Sequence, residues 1–306
     1  MNAPISRRRF VSNTGAASLG ASLLPFSSCN KTIKLGEEDI APPRFVMGLS
    51  QYSLRELFKS GELDPLDYPK FTVNEFGIQA IDYWEGGLPK DKLNDMAYLE
   101  QIRGNAADAG CDLFLLMTGA VNGAAKDLEG NKNIVEAAKR AQALGARYLR
   151  VFLWVPDNGT LDEAASGAVE ALKPIADELA KLDVKLAIEP GASKRTQQGE
   201  FLAKIAKGLK HPHCRLMPDN GKLRGDIYAG TEAMMPHSEV VSCKMHSFDD
   251  TGNQSDFDYQ KLINIIVASK YRGILAIEWE GKKLKPVPGV LASKALIEKS
   301  LKAAGT

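Results

Sequence analysis

Apolar residues in this chain come in short runs separated by longer amphipathic stretches, and the two kinds alternate to the end. The segments 45–49, 78–83, 112–117 and 148–155 are nearly continuous in apolar character, and four more follow as KLAIE, CRLMPD, VVSCKMH and ILAIE. Short apolar runs of this kind predict strands covered on both faces, as in a parallel sheet. Between them lie SLRELF and the stretches 65–76, 92–109, 131–144, 161–182, 199–209, 225–235, 258–269 and 286–304, where apolar positions recur at helical spacing. Gly77, Gly110 and Gly145 stand where a helix would stop. Strict alternation predicts a parallel α/β fold. Eight strand–helix units between residues 44 and 306 favour a single (β/α)8 barrel over an open doubly wound sheet. No G-x-G-x-x-G follows the first strand and no G-x-x-x-x-G-K-[ST] occurs, which weighs against a nucleotide-binding sheet.

Residues 1–43 do not share this pattern. Ser6-Arg7-Arg8-Arg9-Phe10-Val11 precedes a mildly apolar, small-residue run that ends at Ser27-Ser28-Cys29. Paired arginines before a weakly apolar segment predict a twin-arginine export signal over 1–29, and small residues before Cys29 predict lipid attachment there. The expected location is the periplasm, or the cell envelope through a lipid anchor. The bland alternative is a basic tail. Polar residues 30–43, closing on Pro42-Pro43, read as a tether to the domain at 44–306. Cys111, Cys214 and Cys243 have no paired spacing, and their surroundings predict buried free thiols.

Composition removes some function classes. With 44% hydrophobic and 25% charged residues the chain can bury a full core, and its formal charge of +1 steers it toward no polyanion. There is no basic stripe interleaved with aromatics, so no nucleic-acid partner is expected. Membrane contact is expected only through the N-terminal anchor, and oligomerisation is left open.

Candidate chemistry sits at the ends of the last four strands, at Glu189, Asp219, His246 and Glu278, which recur at intervals of 27 to 32 residues. One βα unit takes roughly 30 residues, and a barrel brings the C-terminal ends of its strands to one mouth. A lone Glu at a strand end is usually a cap or a loop salt bridge. Four ligand-type groups on successive strands are harder to dismiss, since crowded carboxylates repel and a bound cation relieves them. Two Glu, one Asp and one His suit one divalent ion such as Mn, Mg, Co or Zn. Alternation places Ala187 and Lys185 on the face of Glu189, Met217 and Arg215 on that of Asp219, Ser242 and Lys244 on that of His246, and Ala276 and Ile274 on that of Glu278. Lys185 and Arg215 would then point inward near the far end, which opens to water.

FVMGLSQYSL, FGIQAIDYW, AKRAQALGARYLRV, LAIEPG, MPDNGK, VVSCKMHSFD and YRGILAIEWEG occur in this order from about residue 44 to the end. In this order the chain resembles the sugar phosphate isomerase/epimerase family, the xylose-isomerase-like TIM barrels. That resemblance implies a divalent cation held by a Glu, an Asp, a His and a second Glu. Glu189 matches through LAIEPG, Asp219 through MPDNGK and Glu278 through AIEWEG, with Glu280 next on the same face. The family's His falls on Ser242, Lys244 or His246; if on Lys244, the ammonium stands in for the cation. The chain departs from the family at Pro190-Gly191, and at Lys222, which would face substrate. The resemblance implies isomerisation or epimerisation of a sugar or sugar derivative beside a carbonyl. The cation would polarise that carbonyl and hold the enediolate. Glu189 and Glu278 would remove and return the proton. Lys222 or Lys244 would bind a hydroxyl or the oxyanion, and Trp84, Tyr52 and Trp154 would stack on the sugar. Two other readings use the same site: a metal-dependent hydrolase or lyase of an oxidised glycoside, and a non-catalytic carbohydrate-binding barrel.

Overall fold

A computed structural model describes residues 44–306. The expected export signal, the expected tether and Cys29 lie outside the described residues. Eight strands run parallel: β1 (Phe45–Leu49), β2 (Ala80–Trp84), β3 (Asp112–Asn122), β4 (Tyr148–Trp154), β5 (Lys185–Glu189), β6 (Cys214–Leu216), β7 (Val240–Met245) and β8 (Gly273–Trp279). Their order is β6-β5-β4-β3-β2-β1-β8-β7, and its two ends meet. Leu216 bridges Ser238, Asp219 bridges Ser242, and the Ser242 N–H donates to the Pro218 carbonyl at 2.9 Å. The sheet is thus a ring with helices outside it, the (β/α)8 barrel that the alternation predicts.

Two strands differ in length from their apolar runs. β6 stops at Leu216 although the run reaches Asp219. Pro218 has no N–H to give the ladder, so regular pairing lapses there and only single bridges continue. β3 goes on past Met117 to Asn122, with a register shift against β4 between Met117 and Ala120. Thr118, Gly119 and Ala120 are partly or fully exposed, so the strand outlasts its hydrophobic pattern.

The barrel interior is packed by Ala80, Phe114, Met117, Ala187, Met217, Val240, Ile274 and Ala276. Ala187, Met217, Ile274 and Ala276 are the positions that alternation turns inward beneath Glu189, Asp219 and Glu278. Gly48 on β1 makes room for this layer: a Cβ there would stand 2.8 Å from Ile274 and 3.1 Å from Phe114. A larger apolar layer lies between ring and helices. The helix Leu161–Lys181 shows how it is built, burying Ala168, Leu172, Ile175 and Leu179 on one stripe. Its start is fixed by a capping box, in which the Glu163 N–H donates to Thr160 Oγ1 at 3.1 Å and the Thr160 N–H donates to Glu163 Oε2 at 2.8 Å. Cys111, Cys214 and Cys243 are buried free thiols. No helix among the described residues is long and apolar enough to cross a membrane.

The inward cations at the N-terminal end of the barrel have a partner that alternation does not reveal. Glu239, just before β7, takes Lys185 Nζ at 2.7 Å, the Tyr148 hydroxyl at 2.9 Å and Arg215 Nε at 3.1 Å. One carboxylate therefore pairs with two cations and plugs the barrel floor. Replacing Glu239 by alanine is expected to lower the unfolding free energy by about 1–2 kcal/mol. That is less than buried charged bonds give, because all three ionic groups are roughly a third exposed. Urea denaturation checks this, and an unchanged midpoint would show that water replaces the pairs at no cost.

Candidate functional site

The C-terminal mouth of the barrel gathers three carboxyl groups from three chain segments. Glu189 ends β5, Asp219 follows β6, and Glu278 lies in β8; each offers an oxygen within 4.8 Å of the others, and all three are buried. The turn after Asp219 is locked by its own side chain, because Oδ1 accepts the N–H of Gly221 at 2.9 Å and of Lys222 at 3.1 Å. Gly221 is required there: a Cβ would fall 2.6 Å from Lys244 Cδ and 2.9 Å from both Lys244 Cγ and His246 Cε1.

Two β7 side chains enter the cluster, and His246 is not one of them. Ser242 Oγ lies 3.0 Å from Asp219 Oδ2 and 2.9 Å from Glu278 Oε2. Lys244 Nζ lies 3.1 Å from Asp219 Oδ2, 3.0 Å from Glu278 Oε1 and 2.6 Å from Glu280 Oε1. The expectation that His246 completes a ligand set is corrected. β7 ends at Met245, so His246 lies one residue past the strand, its side chain 37% exposed and Nδ1 3.8 Å from Asp256. It shares the parity of Ser242 and Lys244 but overshoots the ring they occupy. Lys244 is 1% exposed, hydrogen-bonds Glu278 and Glu280 and ion-pairs with Asp219, so it is turned into the carboxylate cluster and not into the cavity wall.

Arg150, on β4, reaches the same mouth and places Nε 3.0 Å from Glu189 Oε2. Glu189 Oε1 is buried with no donor around it. Burial pushes the Glu189 carboxyl well above the usual range, against Arg150, with Asp219 adding to the rise. Burial also works against Asp219, yet Lys244 and the contact with Glu189 outweigh it and hold Asp219 below the usual range. These directions agree with the geometry, since a proton on Glu189 turns its contact with Asp219 from two facing acceptors into a hydrogen bond. Burial raises Glu278 despite Lys244, whereas Lys244 outweighs burial and lowers Glu280. Burial disfavours the Lys244 charge, but Asp219, Glu278, Glu189 and Glu280 together raise its pKa well above that of free lysine.

A cavity of about 220 Å³ opens onto this cluster. Glu189, Glu278, Glu280, Arg150 and Lys222 supply its charged wall; Tyr52, Trp84, Phe152 and Thr118 supply the rest. Trp84 and Tyr52 meet edge to face with ring centres 4.9 Å apart. Trp84 is set in place by Gln51, whose Oε1 accepts the Trp84 N–H at 2.8 Å and whose own N–H donates to Asp82 Oδ1 at 2.9 Å. Phe152 carries Arg150 and Lys222 against its ring, at 4.4 and 5.5 Å from the centroid. Of the residues expected to meet substrate, Trp84, Lys222, Glu280 and Tyr52 line the cavity. Lys244 lies beneath it, and Trp154 is 43% exposed and outside its wall. Arg150, Phe152 and Thr118 were not anticipated. The available signal was an arginine in the middle of an otherwise apolar strand, where a charge must have an inward partner.

The donor set bears on a divalent ion. Both oxygens of Asp219 and both of Glu278 already face N–H or O–H groups, and only Glu189 Oε1 stands free. An ion bonded to Asp219 and Glu278 at the usual ~2.0–2.3 Å would sit beside the Lys244 ammonium. At ~4 Å and an effective dielectric of ~20, a +2 and a +1 charge repel by about 8 kcal/mol. That repulsion works against the attraction of the carboxylates, so the Lys244 ammonium and a divalent ion compete for one place.

No curated protein matches the chain significantly. Solved structures do. A xylose isomerase-like TIM barrel/4-hydroxyphenylpyruvate dioxygenase fusion protein matches over 86% of this chain at 16% identity and TM-score 0.64, and the match spans 43% of the fusion protein. The IOLI protein, solved with a zinc atom, matches over 85% of this chain and 99% of its own at 12% identity and TM-score 0.66. D-psicose 3-epimerase, solved in the presence of D-fructose, matches over 85% of this chain and 100% of its own at 14% identity and TM-score 0.61. At such identities the shared property is the fold. The family model described as "Xylose isomerase-like TIM barrel" matches residues 72–303, and with that match over most of its length the chain belongs to this family.

Proposed function

We propose that this protein is an isomerase or epimerase of a sugar or sugar derivative, moving a proton beside a carbonyl through an enediolate. The observation that carries the reading is the pair Glu189 and Glu278, two buried carboxyl groups on β5 and β8 that face one cavity. Epimerase chemistry among the fold's relatives supports it, through the D-psicose 3-epimerase likeness.

The roles follow from the surroundings. Glu278, with Lys244 at 3.0 Å favouring its anion, takes the proton from carbon. Glu189, whose burial favours the acid form and whose Oε1 has no donor, holds a proton to deliver. Arg150 and Lys222 are the cations that reach the cavity, so they stabilise the oxyanion as it forms. Tyr52, Trp84 and Phe152 give the apolar faces of a sugar a stacking surface and keep water from the intermediate. Glu280 accepts a substrate hydroxyl. The sequence expectation placed one Mn, Mg, Co or Zn ion on Glu189, Asp219, His246 and Glu278; of these Glu189, Asp219 and Glu278 come together and would hold it, and no step here depends on it.

Incubating the protein with candidate ketoses or keto-glycosides in D2O tests the reading. Deuterium is expected at the carbon next to the carbonyl, with the sugar skeleton intact. Bond cleavage would favour the hydrolase or lyase reading instead, and tight binding without exchange the non-catalytic barrel. The twin-arginine-like residues 6–11 and Cys29 support an extension of the proposal. In it the domain works after export, in the periplasm or anchored at the envelope, on sugars without phosphate.

A further inference from the structure

We propose that the Lys244 ammonium occupies the place of a divalent cation among Glu189, Asp219 and Glu278, so that the folded protein binds no such metal there. Three observations point the same way. First, Lys244 comes from inside β7, on the inward face of the ring, and is 1% exposed; it is built into the barrel rather than folded in from a loop. Second, Nζ meets three carboxylates, hydrogen-bonding Glu278 at 3.0 Å and Glu280 at 2.6 Å and ion-pairing with Asp219 at 3.1 Å. That is the arrangement of a small cation among oxygen ligands, with bonds of hydrogen-bond length in place of coordination bonds. Third, the nearest inward neighbour on the same strand is Ser242, whose hydroxyl ties Asp219 to Glu278 and is a weak ligand for any of the ions expected. Gly221 completes the device, since any larger residue there would push the lysine stem out of line.

The substitution changes what the site can do. A divalent ion in this position would exchange with solvent and offer open coordination positions to substrate. An ammonium buried among carboxylates does neither; it fixes them and offsets part of their charge. This inference rests on the geometry of the cluster and is independent of the reaction proposed above.

The test is metal binding to the full chain. Wild-type protein is equilibrated with Mn2+ or Zn2+, desalted, and assayed for metal per chain; Mn2+ titration followed by electron paramagnetic resonance gives the affinity. Wild type is expected to retain only a trace and to show the same thermal midpoint with Mn2+ as with chelator. Lys244→Gln removes the positive charge and is expected to bind Mn2+ about 100-fold or more tightly than wild type, with a midpoint that rises on adding Mn2+. A wild type that retains about one ion per chain, removable by chelator and lost in Asp219→Asn, would overturn the proposal. So would a folded Lys244→Gln with no gain in Mn2+ affinity. Should that variant fold only with Mn2+ present, the proposal is upheld; should it fold under neither condition, the wild-type measurement decides alone. The deuterium experiment reads a separate property, so failure of the reaction and failure of this inference are distinguishable.

Discussion

Replacing Lys244 by methionine is expected to lower the unfolding free energy by about 3–5 kcal/mol at pH 7, the usual cost of removing one partner from a buried ionic cluster. Methionine fills much of the same volume, so the loss reports the charge more than a cavity. The wild-type cluster stands because one ammonium serves Asp219, Glu278 and Glu280 together. Without it the buried carboxylates face one another, with Arg150 in contact with Glu189 alone. The pH dependence fixes the sign. In wild type, Asp219 and Glu280 titrate below the usual range, so they contribute stability above the unfolded-state pKa that is lost as pH falls through the folded one. In the variant the same groups lose their cation and are pushed up by burial, so their contribution reverses and stability falls as pH rises. The gap between wild type and variant is therefore widest at neutral pH and narrows as pH falls through the raised range in which the variant's carboxyls take up protons. Urea midpoints at several pH values check this. A gap independent of pH would show that the lysine stem, not its charge, supports the fold.

How much of this could be read from the chain depended on what each residue was surrounded by. The barrel was legible because strands buried on both faces need long apolar runs and the helices between them need periodic ones. Glu189, Asp219 and Glu278 were legible because a βα unit repeats at a nearly fixed length and brings strand ends to one rim. The fourth position was not, because parity gives a face and not a depth. Ser242, Lys244 and His246 all share one face, and only the point where β7 stops decides which of them reach the cluster. Arg150 escaped notice because its partner is 39 residues away on the neighbouring strand. Glu239 escaped because it precedes its strand and serves two cations from other strands. Both are tertiary pairings of charge, which leave no periodic trace in the sequence.

Changing Glu278 to glutamine is expected to slow deuterium exchange into substrate by about 10²–10⁴-fold while leaving the fold in place. The amide oxygen still accepts from Lys244 and the amide nitrogen can face Ser242 Oγ, so the variant keeps the shape of the cluster and loses only a base. Glu189→Gln is expected to cause a comparable loss for the opposite reason, since it removes a proton donor. Their pH profiles separate the two. The base must be ionised, so the wild-type rate rises as pH climbs through the raised pKa of Glu278. The acid must be protonated, so the rate falls as pH passes that of Glu189. Because the two interact through Asp219, the limbs report the pair and not either residue alone, and both should lie above the range of ordinary carboxyls. The ascending limb should disappear in Glu278→Gln and the descending limb in Glu189→Gln. If Glu278→Gln instead lost the descending limb and Glu189→Gln the ascending one, the acid and base assignments would exchange; full activity in either would remove that carboxyl from the chemistry and leave it as a wall of the cavity.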